Sequence, residues 1–137
     1  MIETHMLEFA TRGENDVLNI TEEVQKVIEH SDAHDGVANL HLQSTTSGLS
    51  IIEWENGILE DLKRTVDRLA PKDGIYEHEL AWHDGNGHSH IRSFLAGVNV
   101  SIPFAKNKLL LGQWQQIALL EFDIRARKRT VVMQILA

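Results

Sequence analysis

The chain has 137 residues, 42% of them hydrophobic, with 13 Lys+Arg against 20 Asp+Glu and a formal net charge of −7. That is enough chain for one real core; it is too apolar for disorder and too acidic for general nucleic-acid binding, which rests on neutralising phosphates. There is no cysteine, so disulfides and thiolate chemistry are excluded and any transition metal must be held by His, Asp, Glu or water.

No Pro/Gly/Ser-rich linker divides the sequence, and residues 1–137 read as a single domain. No apolar run approaches the ~18 residues of a membrane-spanning helix. The opening MIETHMLEF has no basic region followed by a long apolar stretch, so a cytoplasmic protein with no membrane partner is expected.

In chain order, LNITEEVQKVIEHS reads as a helix, with Thr21 placed to cap it, Glu22 and Glu23 at the positive end of its dipole, and Val24, Val27 and Ile28 inward. GVANLHLQS alternates around Leu40 and Leu42, and GLSIIEW is apolar on both faces. A second helix starts near Gly57, presents Ile58, Leu62, Val66 and Leu69 at steps of four and three, and stops at Pro71. GVNVSIPF alternates with Val98, Val100 and Ile102 on one side. IALLEF and TVVMQIL are strand-length apolar runs, joined as a hairpin by the polar loop Asp123 to Arg129. Strands dominate and no regular βαβ alternation appears. The predicted class is α+β, a sandwich-like, mostly antiparallel sheet with two main helices plus a short one.

Several polar constellations interrupt this pattern. QSTTSG, Gln43 to Gly48, holds hydroxyls and a glycine that can donate to phosphate oxygens or form an ordinary turn; Thr45 and Thr46 would face opposite ways in a strand. Glu53 closes an apolar strand, as an acid/base group or ligand or simply where the strand meets solvent. HDGNGHSHIRS brings His83, His88 and His90 close in sequence, just after His78. If the segment is extended, His88 and His90 share a face and can chelate together. If it begins a helix, with Ile91, Phe94 and Leu95 inward, only one histidine looks into a pocket, and Asp84 or Asn86 lies in the preceding turn. Gly112 interrupts a strand pattern just before Trp114 and Gln115, as a bulge or close backbone approach would. Trp114 can stack on a ligand ring or pack in a core or interface. The basic cluster Arg125, Arg127, Lys128, Arg129 can hold a small anion or be a solvated turn.

Taken in order, TRGENDVLNITEEV, TTSGLSIIE with the downstream EDL, YEHE, DGNGHSHIRSFLAG, SIPF, and LLLGQWQQIALLEFD with RKRTVVMQI resemble the YjbQ-type family, small proteins described as secondary thiamine-phosphate synthases. The Asn-x-x-x-His segment, Asn86 to His90, and Gly-x-Trp-Gln, Gly112 to Gln115, are its most specific parts. The resemblance implies an α+β fold, assembled as a homotrimer with sites near subunit boundaries. It implies a polar site of His78, Asn86 and His90, with Glu53, Thr45 and Thr46 contributing. Asp61, Trp114 and Gln115 match further family positions.

The implied reaction joins a pyrimidine pyrophosphate to a thiazole phosphate and releases pyrophosphate. In that reading His78 and His90 hold a divalent metal (Mg or Zn) or the pyrophosphate, Glu53 ligates or orients, and Thr45 and Thr46 donate to phosphate. The second reading is a non-catalytic metal- or metabolite-binding homotrimer. Two positions depart from the family. Ser44 stands where a histidine usually precedes the paired threonines, which raises His41, His83 or His88 as a substitute ligand, and Gln113 stands in a threonine's place.

Overall fold

A computed structural model describes all residues, 1–137. The elements run β1 (Ile2–Ala10), β2 (Val17–Asn19), α1 (Thr21–His30), β3 (Gly36–Leu42), β4 (Ser47–Glu53), α2 (Asn56–Leu69), α3 (Glu77–Trp82), α4 (Gly87–Ala96), β5 (Asn99–Ala105), β6 (Lys108–Leu109), β7 (Gln115–Glu121) and β8 (Lys128–Leu136). They form two antiparallel sheets, a five-stranded one in the order β1-β8-β3-β5-β6 and a three-stranded one in the order β2-β7-β4. The expected α+β class and antiparallel sheets are present, with four helices. No helix is long and apolar enough to cross a membrane.

The core forms where period-two strands turn one face inward. Ala38, Leu40 and Leu42 of β3 meet Val131, Met133 and Ile135 of β8, with Ile102 and Phe104 of β5. Leu49, Ile117 and Leu119 face them from the other sheet, and Val24 and Ile28 of α1, with Ile20 just before it, seal the cluster. Each such fully buried aliphatic side chain stabilises the fold by about 1.5–3 kcal/mol.

Thr21 does not cap α1. Its hydroxyl accepts from the Ile117 N–H, and Asn19 Oδ1 takes the Thr21 N–H instead. The reason is competition, because a partner strand offers Thr21 a buried donor. Gly112 is not a bulge either: it opens the turn before β7, its N–H donating to Gln115 Oε1.

The segment Asp123 to Arg129 is not a hairpin. β7 pairs with β2 and β4, whereas β8 pairs with β1 and β3, so the loop crosses from one sheet to the other. Internal pairs hold the crossing. Asp123 accepts from the Arg125 N–H, Arg127 Nε and Thr46 Oγ1, and Arg129 forks onto Glu121. The basic cluster is therefore neither a free anion site nor wholly solvated, although Lys128 pairs with Glu8 at the surface.

The larger departure concerns α2 and α4. Both helices form where expected, α2 capped by Glu55, whose carboxylate accepts from the Gly57 and Ile58 N–H groups. Yet α2 buries none of its residues. In α4 the inward face is Gly87, His88, Ser89, Arg92 and Ser93, whereas Ile91, Phe94 and Leu95 are exposed, Phe94 to 80%. The polar side wins because every buried group on it has a partner. Ser89 Oγ donates to the Phe122 carbonyl, Ser93 Oγ to the Ser47 carbonyl, and Arg92 Nε to the Ala70 carbonyl. Satisfied in this way, buried polar groups carry little penalty.

Candidate functional site

Helix α3 and the turn after it assemble the site. His83 ends α3 in the left-handed conformation (φ 51°) and Gly85 continues the reversal (φ 75°). Glu79 of α3 reaches across the turn, its carboxylate accepting from the Gly85 and Gly87 N–H groups at 2.9 and 2.8 Å. It thereby neutralises donors at the start of α4. Within the turn Asp84 Oδ1 accepts from the Asn86 N–H at 2.9 Å. Asn86 is buried and its Oδ1 accepts from the Ile124 N–H and lies 2.8 Å from Ser89 Oγ, tying the start of α4 to the inter-sheet crossing.

This folding brings His78, Asp84 and His90 together, with their potential ligand atoms all within 4.8 Å of one another. The His78 and His90 ring centroids are 4.5 Å apart, with the rings inclined at 59°. His78 Nε2 lies 3.1 Å from both Asp84 oxygens. His90 Nδ1 hydrogen-bonds the Thr45 carbonyl at 2.9 Å; with Nδ1 as donor, Nε2 is the nitrogen left for a ligand. Hydrogen bonds from the Asn86 N–H and then from His78 hold the Asp84 carboxyl below its ordinary range, in the ionised form that a metal requires.

Donors around one ion with bonds of ~2 Å stand about 3–4 Å apart, so a small contraction closes this triad on a cation. Two imidazoles and one carboxylate suit zinc or another first-row metal better than magnesium, which prefers all-oxygen sites.

The expected site residues separate into groups. His78 and His90 converge, and Asn86 supports the turn between them. Thr45 contributes its carbonyl, while the Thr46 hydroxyl is engaged by Asp123 and Arg129. Glu53 lies at the other end of β4, roughly 20 Å along the strand at about 3.3 Å per residue. There it stands opposite Gln115 and close to exposed Trp114. Asp61 is on the exposed side of α2, paired with Arg64.

None of the substitute histidines completes the triad. His41 is exposed on β3 and His83 is exposed at the helix end. His88 is buried elsewhere in the fold, 1% exposed, with its Nε2 2.5 Å from Glu14 Oε1. The third candidate ligand is Asp84, which the sequence marked only as a turn residue. Ser44 holds its own turn, accepting from the Thr46 N–H and the Ser47 hydroxyl beside the carbonyl that orients His90.

The sequence profile described as "UPF0047 protein YjbQ-like" matches residues 5–137. This chain belongs to the YjbQ/UPF0047 family. A UPF0047 protein of Archaeoglobus fulgidus is 34% identical over 117 residues, spanning 85% of this chain and 89% of that one. UPF0047 protein YugU of Bacillus subtilis is 30% identical over 119 residues, spanning 85% and 87%. Among solved structures, a YjbQ/UPF0047 protein of Clostridium acetobutylicum superposes with a TM-score of 0.84 at 33% identity, covering 96% of this chain and 99% of its own. A YbjQ-like protein of unknown function from Sulfolobus solfataricus reaches 0.89 at 23% identity, covering 100% and 99%, and shows the same YjbQ-like fold.

Proposed function

We propose that this YjbQ-like protein holds a divalent transition metal, zinc by donor chemistry, through His78, Asp84 and His90, and uses that centre on a small phosphorylated metabolite. The observation that carries this reading is the convergence of the three side chains with His90 Nε2 left open. In its specific form the reaction is the one the family resemblance implies, a thiamine-phosphate synthase-like coupling. The C–O bond between the pyrimidine methylene and pyrophosphate breaks with its electron pair leaving on pyrophosphate, and the thiazole nitrogen lone pair forms the new C–N bond. No net proton transfer is needed.

A bound divalent ion supplies charge stabilisation for such a leaving group. The chain's own part is positional. The Thr45 carbonyl fixes the His90 ring, the Asn86 N–H fixes Asp84, and the left-handed turn at His83 sets the distance from α3 to α4. Orientation of this kind lowers the cost of reaching the reactive geometry.

The same proposal includes a homotrimer. It is supported by large apolar side chains left in water on α3, α4 and the loop before α3, among them Ile75, Leu80, Trp82 and Phe94; apolar surface of this kind suits a subunit contact. A neighbouring copy would also bring Glu53, Trp114 and Gln115 toward a centre that they do not reach within one chain.

The test combines metal analysis with assay. Purified protein dialysed against zinc retains one ion per chain, and it forms thiamine phosphate from the two precursors with Zn²⁺, Mn²⁺ or Mg²⁺ present. Metal retention without product removes the coupling and leaves the metal-binding reading; retention of no metal removes both. Light scattering reports the oligomer, and a monomer removes the trimer.

A further inference from the structure

A second feature lies on the opposite side of α4. Arg92 follows His90 by two residues, about 200° around the helix, and its side chain is only 2% exposed. Its Nε donates to the Ala70 carbonyl and one Nη2 hydrogen goes to Asp67 at 3.3 Å. Nη1 makes no hydrogen bond; its nearest acidic oxygen, Glu14 Oε1, is 3.8 Å away and already taken by His88. A guanidinium has five donors, and no buried side-chain nitrogen of the chain lacks a partner, so the unpaired part of Arg92 is the part that solvent reaches.

Arg92 borders a polar cavity of about 270 Å³ between α2, α4 and the loop after β1. Lys63, Arg64, Lys72 and Arg92 line it against the two carboxylates Glu14 and Asp67, an excess of positive charge on a chain whose formal charge is −7. Lys63 and Arg64 also pair with Glu60 and Asp61 on the solvent side, where such pairs are weak and exchange readily.

The polar cavity does not stand alone. Asn15 and Lys63 also line an apolar cavity of about 230 Å³ beneath α2, walled by Ile52, Leu62, Val66, Leu95 and Phe122 among others. It is larger than the ~150 Å³ apolar cavity that accommodates benzene in an engineered protein. It also explains why α2 buries none of its residues: the apolar face of that helix looks across open space at the three-stranded sheet.

We propose that these two cavities form one binding site for an anionic amphiphile, its phosphate or carboxylate meeting Arg92, Lys63 and Arg64 and its alkyl or aromatic body lying beneath α2. The head group completes the Arg92 donors and the body covers the apolar face of α2, so one ligand answers both structural observations. The site is independent of the His78 centre.

The full-length protein is titrated separately with octyl phosphate, octanol and inorganic phosphate by calorimetry, with amide NMR shifts to locate the ligand. Octyl phosphate is expected to saturate at one per chain, about tenfold or more tighter than either fragment, a difference of at least ~1.4 kcal/mol. The surface variant Lys63→Gln/Arg64→Gln weakens it about tenfold. Leu62→Trp, which fills the cavity from a helix that buries nothing, abolishes it, and both variants keep their zinc uptake. His90→Gln binds octyl phosphate as the unaltered chain does. Absence of saturable binding, equal affinity for inorganic phosphate, indifference to Leu62→Trp, or loss of binding in His90→Gln would each overturn the proposal.

Discussion

Arg129 at the start of β8 forks onto Glu121 at the end of β7, Nε to Oε2 at 2.8 Å and Nη2 to Oε1 at 2.5 Å, with Glu121 1% exposed. The two residues belong to different sheets, so this ion pair bridges the sheets where the chain crosses between them. Thr11 Oγ1 donates to the same carboxylate and Thr46 Oγ1 accepts from Arg129, so β1 and the β3–β4 turn are held to the same point. Removing one partner leaves the other buried and uncompensated. Arg129→Met is expected to destabilise the fold by about 3–5 kcal/mol, measured by urea denaturation. A loss below ~1 kcal/mol would show that the pair is solvated in solution.

The metal centre predicts a graded response. His90→Ala removes a ligand and should weaken zinc binding by more than the ~10–100-fold typical of losing an outer hydrogen bond. Ser44→Ala, which touches only the supporting turn, should fall within or below that range. Competition against a chromogenic chelator gives both constants. Equal affinity in His90→Ala and the unaltered chain would remove His90 from the ligand set.

Gly87 is a packing requirement of the same site. A Cβ placed there would lie 2.6 Å from the Tyr76 Cβ, and Tyr76 begins the helix that carries His78. Gly87→Ala must therefore displace α3 or α4. Overpacking of this kind costs about 1–3 kcal/mol, and it should weaken zinc binding while every ligand is retained. Thermal melting and the chelator competition together test this; lower stability with unchanged zinc affinity would separate Tyr76 from the geometry of the site.

Asp123 sets part of the acid limb of stability. Burial raises its pKa, but hydrogen bonds from the Arg125 N–H, Thr46 and Arg127 outweigh that and hold it below the ordinary carboxylate value. A carboxyl depressed in the folded state contributes stability above its unfolded pKa of ~3.9. That contribution is lost as pH falls through the lower folded value. Asp123→Asn should therefore lower the melting temperature at pH 7 and lose less than the unaltered chain as pH falls below about 4. Parallel melting curves for the two across that range would contradict this assignment.

Much of this arrangement was legible in the residues. Leu40 and Leu42, Val100 and Ile102, and the β-branched run at residues 130–135 announce half-buried strands. Val24 and Ile28 announce the inner face of α1, and His78, Asn86 and His90 were drawn together by their family resemblance. Asp84 was harder to see, because an aspartate before a glycine reads first as a turn former; only the left-handed reversal at His83 turns its carboxylate toward both histidines. Glu53 and Trp114 were joined to His90 by the family resemblance alone; the sequence puts Glu53 at the end of its strand but carries no record of which end of that strand lies beside His90.

The sequence by itself determined the local elements, since strand and helix periods are properties of neighbouring residues and steric preference. Tertiary structure decided the rest. β7 and β8 are consecutive strands in separate sheets, because long-range pairing with β2, β4, β1 and β3 outweighs their adjacency. The face of α4 that turns inward is the polar one, because carbonyls from distant segments satisfy its hydroxyls and its arginine, and helical periodicity alone carries no record of those partners.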